Sequence, residues 1–200
     1  RKKRQQKEIN MSEKYYHTKE SVEEYIKLAE GVNGSSLIEK LRKVLKSGAN
    51  LLELGSGPGS DWKILSETFN VTGSDNSNEF IQHLKSSFPN GKFEKIDAVS
   101  IETTKTFDGI FSNKVLHHLK DEELVESIKR QSEVLSNEGI VCHSFWLGKG
   151  SEFFKEMFVN YHEEKELKNL FSKYFDIISL DKYAEFEEGD SILIIARKVK

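Results

Sequence analysis

Short apolar runs alternate along the chain with stretches in which apolar residues recur every three or four positions. The apolar runs predict strands at 51–54, 71–74, 92–96, 107–112 and 140–145. The helical spacing predicts helices at 61–69, 78–87 and 121–135. Strand and helix in regular alternation are typical of an α/β fold with a parallel sheet and helices on both of its faces.

The C-terminal part of the chain departs from this alternation. After a helix predicted at 163–174, strands are predicted at 175–180 and 191–197, with too few residues between them for a crossover helix. These two strands must therefore pair antiparallel. Upstream, a turn is predicted at 137–139 with a positive φ at Gly139, and the aromatic stretch 146–161 is assigned no regular element.

A glycine-rich loop follows the strand at 51–54. Gly55, Gly57 and Gly59 alternate in it, and Pro58 disfavours helical backbone at the residue before it. Glycines let the chain turn sharply and let a ligand lie against bare backbone. Strand, glycine loop and helix in this order form a nucleotide-binding βα unit, although an ordinary glycine-rich turn is the alternative.

The spacing and the nearby charges indicate which nucleotide fits. Dinucleotide folds use G-x-G-x-x-G, whereas this loop reads G-x-G-x-G and follows an acid, Glu53. A carboxylate beside the loop favours a cationic ligand over a phosphate. Asp75 follows Gly55 by twenty residues, a spacing that fits the two hydroxyls of a ribose. A ribose without phosphate and with a positive charge describes S-adenosylmethionine.

A second motif, FDGIFSNKVLHHL at 107–119, lies downstream of ELGSGPG at 53–59. With both motifs in this order, residues 35–200 resemble the class I S-adenosylmethionine-dependent methyltransferases, in particular the small-molecule methyltransferase-like domains of the type 11/25 group. The resemblance implies a doubly wound, Rossmann-like sheet of seven strands in the order 3-2-1-4-5-7-6, with strand 7 antiparallel. Residues 11–200 are then expected to form a single methyltransferase domain with an N-terminal helical cap at about 12–34.

The resemblance also implies a cofactor, S-adenosylmethionine, with S-adenosylhomocysteine as the product. The implied cofactor-binding residues are Glu53, Gly55, Ser56 and Gly57 for the methionine part, Asp75 and Asn76 for the ribose, Asp97 and Ala98 for the adenine, and Asn113 and Lys114 beneath the sulfonium. Asp97 has an alternative role as a turn residue. Because like charges repel, Lys114 could instead reach the methionine carboxylate or an anionic substrate, or extend to solvent.

The implied reaction is methyl transfer to a small-molecule acceptor, with His117 as the candidate general base and a packing role as its alternative. The candidate substrate pocket consists of Tyr15, Tyr16, Trp146, Phe154 and Tyr161, side chains that could equally serve packing. Two other functions stay open. One is a non-catalytic S-adenosylmethionine-binding partner subunit, and the other is an NAD-type dinucleotide oxidoreductase.

Charge and composition limit the kinds of molecule that the protein is expected to bind. Residues 1–10 carry five basic groups and one acid, a local +4, so the remainder of this chain of net charge −3 carries −7. The basic stretch is expected to be a disordered tail, either solvated or added for expression, and the acidic body is unsuited to DNA or large RNA. The single cysteine, Cys142, and the lack of a long apolar run predict a cytoplasmic protein outside the membrane. The sequence contains neither a C-x-x-C motif nor an acidic cluster at metal-ligand spacing, so no metal is expected.

Overall fold

The computed structural model describes residues 18–154 and 157–199. Its helices are α1 Lys19–Leu28, α2 Ser35–Arg42, α3 Ser60–Leu65, α4 Asn78–Ser87, α5 Asp121–Val134 and α6 Glu164–Phe171. Its strands are β1 Asn50–Leu54, β2 Asn70–Asp75, β3 Lys92–Lys95, β4 Phe107–Asn113, β5 Leu135–Trp146, β6 Ser151–Phe154, β7 Met157–Asn160, β8 Phe175–Tyr183 and β9 Ser191–Lys198. A 3-10 turn spans Leu116–His118.

Seven strands form one sheet in the order β3-β2-β1-β4-β5-β9-β8. The first five run parallel, and β9 pairs antiparallel with both of its neighbours. Counted within this sheet alone, the order is the predicted 3-2-1-4-5-7-6, which is therefore confirmed. The remaining strands, β6 and β7, pair with each other in a separate antiparallel hairpin.

Both faces of the sheet are buried, as expected for parallel strands covered by helices. Successive residues of β1 serve opposite faces: Leu52 and Leu54 pack into one apolar cluster and Leu51 into the other. The second cluster also holds Leu37, Ile38 and Leu41, the buried face of α2. Because β1 lies at the centre of the sheet, its carboxyl end, where the glycine loop starts, is held in a fixed position.

The prediction of a turn at 137–139 is wrong, because these residues lie within β5, which begins at Leu135. Gly139 does not take a positive φ; instead Glu138 does, with φ 62°. A Cβ at Gly139 would lie 2.9 Å from Leu135 Cδ2 and 3.0 Å from Ser136 O, so close packing is the reason for glycine there. The stretch 146–161, which carried no predicted element, contains the β6–β7 hairpin.

The carboxyl ends of β1, β2 and β4 open onto a cavity of about 1160 Å³. This edge is where ligands bind in open α/β sheets, at the point where the strand order reverses. Within 18–154 and 157–199, no helix is both long and apolar enough to span a bilayer.

Candidate active site

Two sets of residues line the cavity. The first, here called the glycine wall, consists of Glu53, Gly55, Ser56, Gly57, Asp61, Asp75, Asn76, Asp97 and Ala98. The second, here called the aromatic wall, consists of Trp146, Phe153, Met157, Phe158 and Phe186. Asn113, Lys114 and His118 also line the cavity, just after the end of β4.

The glycine loop has the left-handed backbone that its glycines permit. Gly55, Gly57 and Gly59 have φ values of 67°, 46° and 89°, a region that residues with a Cβ rarely adopt. At Gly57, the one atom of the described residues that an added Cβ would meet within 4 Å is a Tyr25 ring carbon, 3.9 Å away. The space in front of Gly57 is therefore open cavity, and a ligand can lie directly against this backbone.

Asp75 is fixed at the end of β2 by two backbone N–H groups. Gly57 N donates to its Oδ2 over 3.1 Å, and Ser77 N donates to its Oδ1 over 2.9 Å. The first bond joins the Asp75 side chain to the glycine loop. The loop and the residue predicted to bind the ribose are therefore held together. The half-buried carboxylate faces the cavity, where it can accept hydroxyl hydrogen bonds.

Asp97 forms the turn that was its alternative role, and it also lines the cavity. Its Oδ1 accepts from the backbone N–H groups of Val99 and Ser100, which makes it the residue that forms the turn after β3. Its Oδ2 accepts from Asn76 Nδ2 over 3.1 Å, and both side chains line the cavity. The ends of β2 and β3 are thus linked on the glycine wall, and Ala98 lies beside them.

Two further carboxyl groups of the glycine wall, those of Glu53 and Asp61, are largely buried. Glu53 is 2 % exposed, and burial, together with the nearby Asp61 and Asp75, raises its pKa to about 8, although a hydrogen bond from Ser56 acts in the opposite direction. Burial also raises the pKa of Asp61. None of the described lysines or arginines forms an ion pair with Glu53 or Asp61. A ligand that carries a cationic group fits such a wall, because it would stabilise both carboxylates.

The raised pKa of Glu53 predicts how stability changes with pH. The folded protein holds a proton on Glu53 that the unfolded chain releases near pH 4.5, so stability should fall as pH rises from about 4.5 to 8. The contribution of Glu53 to this slope is at most ~1.4 kcal/mol per pH unit. Glu53→Gln should flatten the profile, measured by urea unfolding of the ligand-free protein from pH 5 to 9. Identical slopes in the two proteins would contradict the assignment.

Asn113 and Lys114 end β4 in a strained, hydrogen-bonded turn. Lys114 has φ 55°, an uncommon conformation for a residue with a side chain, and its N–H donates to Ser144 Oγ. Its Nζ donates to Phe145 O and Ser191 Oγ and lies 3.4 Å from the ring centroid of Trp146. Burial lowers its pKa to about 8. The ammonium of Lys114 therefore contacts the aromatic wall.

The two histidines of the 3-10 turn are placed differently. His117 is 3 % exposed and does not line the cavity, and its Nδ1 has no hydrogen-bond partner in the described part of the chain. His118 lines the cavity, and its Nδ1 lies 2.7 Å from Phe158 O. Since a carbonyl only accepts, Nδ1 carries the proton, and in the neutral ring Nε2 is the basic nitrogen. Burial lowers the pKa of both rings, so both are neutral at pH 7.

A buried polar chain that the sequence did not reveal supports this region. His143 on β5 lies 2.8 Å from Ser112 Oγ through Nδ1 and 2.7 Å from Gln131 Oε1 through Nε2. Gln131 donates to Ser127 Oγ, and Ser127 donates to the carbonyl of Ala98. Burial lowers the pKa of His143 to about 3, so the ring stays neutral. This series of hydrogen bonds links the end of β4 to the turn that carries Ala98.

The predicted substrate residues are only partly brought together. Trp146 lines the cavity and stacks on Phe186, with centroids 5.8 Å apart and ring planes 20° apart. Phe154 lies off the cavity, because side chains alternate along β6 and its neighbour Phe153 is the one that lines the cavity, although both rings are largely exposed. Tyr161 is also off the cavity, and its hydroxyl donates to Glu152.

Some residues for which the sequence made predictions lie outside the described part of the chain. Tyr15, Tyr16 and the basic stretch 1–10 lie outside the described residues. Metal binding finds no support within the described ranges, where no three His, Cys, Asp or Glu side chains are grouped to hold an ion.

Comparisons with known proteins agree with this geometry. The sequence profile of a family described as a methyltransferase domain matches residues 51–139, which run from β1 into β5. A search of curated proteins found no match.

Several solved structures share the fold. The S-adenosylhomocysteine complex of DhpI has a TM-score of 0.76 at 20% identity and covers 95% of this chain and 96% of its own. CalS10 from Micromonospora echinaspora, an amino pentose methyltransferase bound to S-adenosylmethionine, has a TM-score of 0.73 at 13% identity, covering 89% and 97%. The 1,6-didemethyltoxoflavin-N1-methyltransferase of Burkholderia thailandensis, with its acceptor and S-adenosylhomocysteine bound, has a TM-score of 0.67 at 20% identity, covering 83% and 76%.

At these identities the solved structures establish the fold, and the profile match adds the family over the segment that carries the glycine loop and the second motif. Taken together, they show that residues 51–139 match a methyltransferase domain and that the chain has the fold of S-adenosylmethionine-dependent methyltransferases.

Proposed function

We propose that this protein transfers a methyl group from S-adenosylmethionine to a small-molecule acceptor. The observation that carries the proposal is one cavity at the carboxyl ends of the parallel strands, with a carboxylate-rich glycine wall and an aromatic wall. The first wall fits a cationic nucleoside, and the second fits an apolar or planar acceptor.

The glycine wall is proposed to hold the cofactor. Gly57 leaves room at the backbone, Asp75 faces the cavity as the ribose ligand, and Asp97 with Ala98 borders the adenine position. S-adenosylmethionine, when bound, supplies a methyl group that its sulfonium already activates. The protein therefore contributes mainly by holding donor and acceptor together and excluding water, which can lower a barrier by roughly 7–11 kcal/mol.

His118 is the proposed general base, in place of His117. It lines the cavity beside the end of β4, and its hydrogen bond to Phe158 O leaves Nε2 as the nitrogen that can take a proton from the acceptor. Lys114 is reassigned from the cofactor to the acceptor side, because its ammonium lies on the ring of Trp146.

A small acceptor is favoured over a macromolecule by the cavity and by the charge. A volume of about 1160 Å³ accommodates a cofactor and one further small molecule. The acidic body, −7 outside residues 1–10, repels nucleic acid. Among the similar structures, the toxoflavin and amino pentose methyltransferases are named for small acceptors. The single domain over 11–200, its cap at about 12–34 and the cytoplasmic location stay predictions.

The proposal is tested first by binding and then by turnover. Thermal unfolding should shift upward with S-adenosylmethionine and S-adenosylhomocysteine and not with NAD, and a shift with NAD alone would favour an oxidoreductase. Turnover is then measured as S-adenosylhomocysteine release over a panel of aromatic alcohols, amines and amino sugars. Tight cofactor binding with no methylated product from any acceptor would favour a non-catalytic partner subunit.

Asp75→Ala should weaken S-adenosylmethionine binding about 30- to 150-fold, since hydrogen bonds to a charged group contribute roughly 2–3 kcal/mol. Calorimetric titration with S-adenosylmethionine measures the change. Asp108→Ala is the matched control: Asp108 also accepts a backbone N–H, from Asn50, but it does not line the cavity. Equal affinity in Asp75→Ala and the unaltered protein would remove Asp75 from the site.

A further inference from the structure

The segment before the sheet covers part of the cavity while burying little of its own surface. This segment, residues 18–34, is called here the cap segment, and it contains α1. Val22 is the only residue of α1 that is fully buried. Tyr25 lines the cavity and packs edge-on against Phe80, with ring centroids 5.9 Å apart. So small an apolar contact can hold the cap segment only weakly.

A hydrogen bond at the end of the cap segment compensates for this weak packing. The N–H of Gly34 donates to Asp61 Oδ1 over 2.5 Å. Gly34 is also the N-cap of α2, a helix that is firmly packed in the core through Leu37, Ile38 and Leu41. The peptide group between Asn33 and Gly34 is thus the last peptide group of the cap segment. Its hydrogen bond to Asp61 fixes the angle at which the cap segment joins α2.

The same carboxylate reaches the ends of two strands. Asp61 Oδ2 accepts from Asn113 Nδ2 over 2.9 Å, and Asn113 Oδ1 accepts from Ser144 Oγ over 2.6 Å. A Cβ at Gly34 would lie only 2.9 Å from Asn113 Nδ2, so the three groups are in tight contact. Asp61 follows the glycine loop directly and lines the cavity.

We infer that Asp61 is a positioning residue that couples the cap segment to the cofactor cavity. Its carboxylate holds the cap segment through Gly34 and the end of β4 through Asn113 at the same time. The cap segment stays closed over the glycine wall only while both bonds exist. The part of this inference that concerns cofactor release rests on the proposed function; the part that concerns the cap segment does not.

Exchanging the two side chains provides a sharp test. In Asp61→Asn, the amide can still accept from Gly34, but its NH₂ faces the NH₂ of Asn113, so one bond is lost. In Asn113→Asp, two carboxylates face each other. In the double variant D61N/N113D, every partner is restored: Asn at 61 accepts from Gly34 and donates to Asp at 113, which also accepts from Ser144.

Two rates are measured on the full chain. Hydrogen–deuterium exchange of the ligand-free protein should be about tenfold or more faster in the cap segment of each single variant and unchanged in β1 and β4. Dissociation of S-adenosylhomocysteine, followed by stopped-flow displacement, should accelerate by a similar factor. The double variant should bring both rates back to within about twofold of the unaltered protein.

Asp108→Asn is the matched control. Asp108 likewise accepts from a backbone N–H, that of Asn50, and from a hydroxyl, that of Ser136, yet it does not line the cavity. It should leave cap exchange unchanged. Unchanged cap exchange in Asp61→Asn, equally faster exchange in the cap and in β1, or no recovery in the double variant would each overturn the coupling. Failure of the unaltered protein to bind S-adenosylhomocysteine would overturn the proposed function instead, because the exchange measurements need no ligand.

Discussion

His118→Ala is expected to lower kcat by 10²–10⁴-fold on an acceptor that must lose a proton, which is the usual cost of removing a general base. The reason is its position: His118 lines the cavity, and its Nδ1–H is held by Phe158 O, so Nε2 is the basic nitrogen. The affinity for S-adenosylmethionine should change little. Burial lowers the pKa of His118, so the acid limb that disappears from the pH–rate profile should lie below pH 6.5.

His117→Ala is the matched variant, one residue away. His117 is buried behind the cavity, with its ring 4.0 Å from that of His118. Its removal should lower the melting temperature by about 5 °C and leave the rate per folded molecule within a few-fold. The reverse pattern, with the rate lost in His117→Ala and kept in His118→Ala, would return the base role to His117. Normal rates and pH profiles in both variants would mean that this turn supplies no base.

Gly57→Val is expected to weaken S-adenosylmethionine binding by more than about 100-fold. The valine side chain would project into open cavity, since among residues 18–154 and 157–199 only Tyr25 has an atom within 4 Å of the position of its Cβ. It would also have to take φ 46°, where a β-branched residue is strained by roughly 1–2 kcal/mol. Calorimetric titration with S-adenosylmethionine measures the loss.

Gly48→Val separates these two causes. Gly48 has φ 78° in the turn before β1, and an added Cβ there would meet no atom of the described part of the chain within 4 Å. It does not line the cavity, so its replacement carries the backbone strain alone. Both variants should be less stable in urea, but only Gly57→Val should lose affinity. Equal affinities in the two variants would show that the space before Gly57 is not the cofactor site.

The features that the sequence predicts well are those set by local spacing. The glycine loop, and the acids Asp75 and Asp97 at the ends of β2 and β3, are located by the point where an apolar run stops. Parallel strands then bring these ends to one edge of the sheet, so the glycine wall apart from Asp61 could be predicted from the sequence. The antiparallel end of the sheet was predictable for a similar reason, because the connection between β8 and β9 is short.

The aromatic wall depends on contacts between distant segments, which the sequence does not display. The proposed choice of His118 over His117 rests on the carbonyl of Phe158, forty residues away, and on the cavity that only His118 of the two lines. Which of Phe153 and Phe154 lines the cavity depends on the alternation of side chains along β6, a strand that the sequence did not predict. Asp61 reads as an ordinary first-turn acid of α3, and only the structure shows that it contacts Gly34 and Asn113.

The β6–β7 hairpin makes part of the aromatic wall, the proposed acceptor side of the cavity, a separable module. It supplies Phe153, Met157 and Phe158 to the cavity, whereas the seven-stranded sheet is complete without it. Substitutions within this insert can therefore reshape the acceptor pocket while the sheet and the glycine wall stay unchanged. Diversification of acceptors, by evolution or in directed libraries, is accordingly expected to concentrate in Phe153, Met157 and Phe158, with little loss of folding or of cofactor affinity.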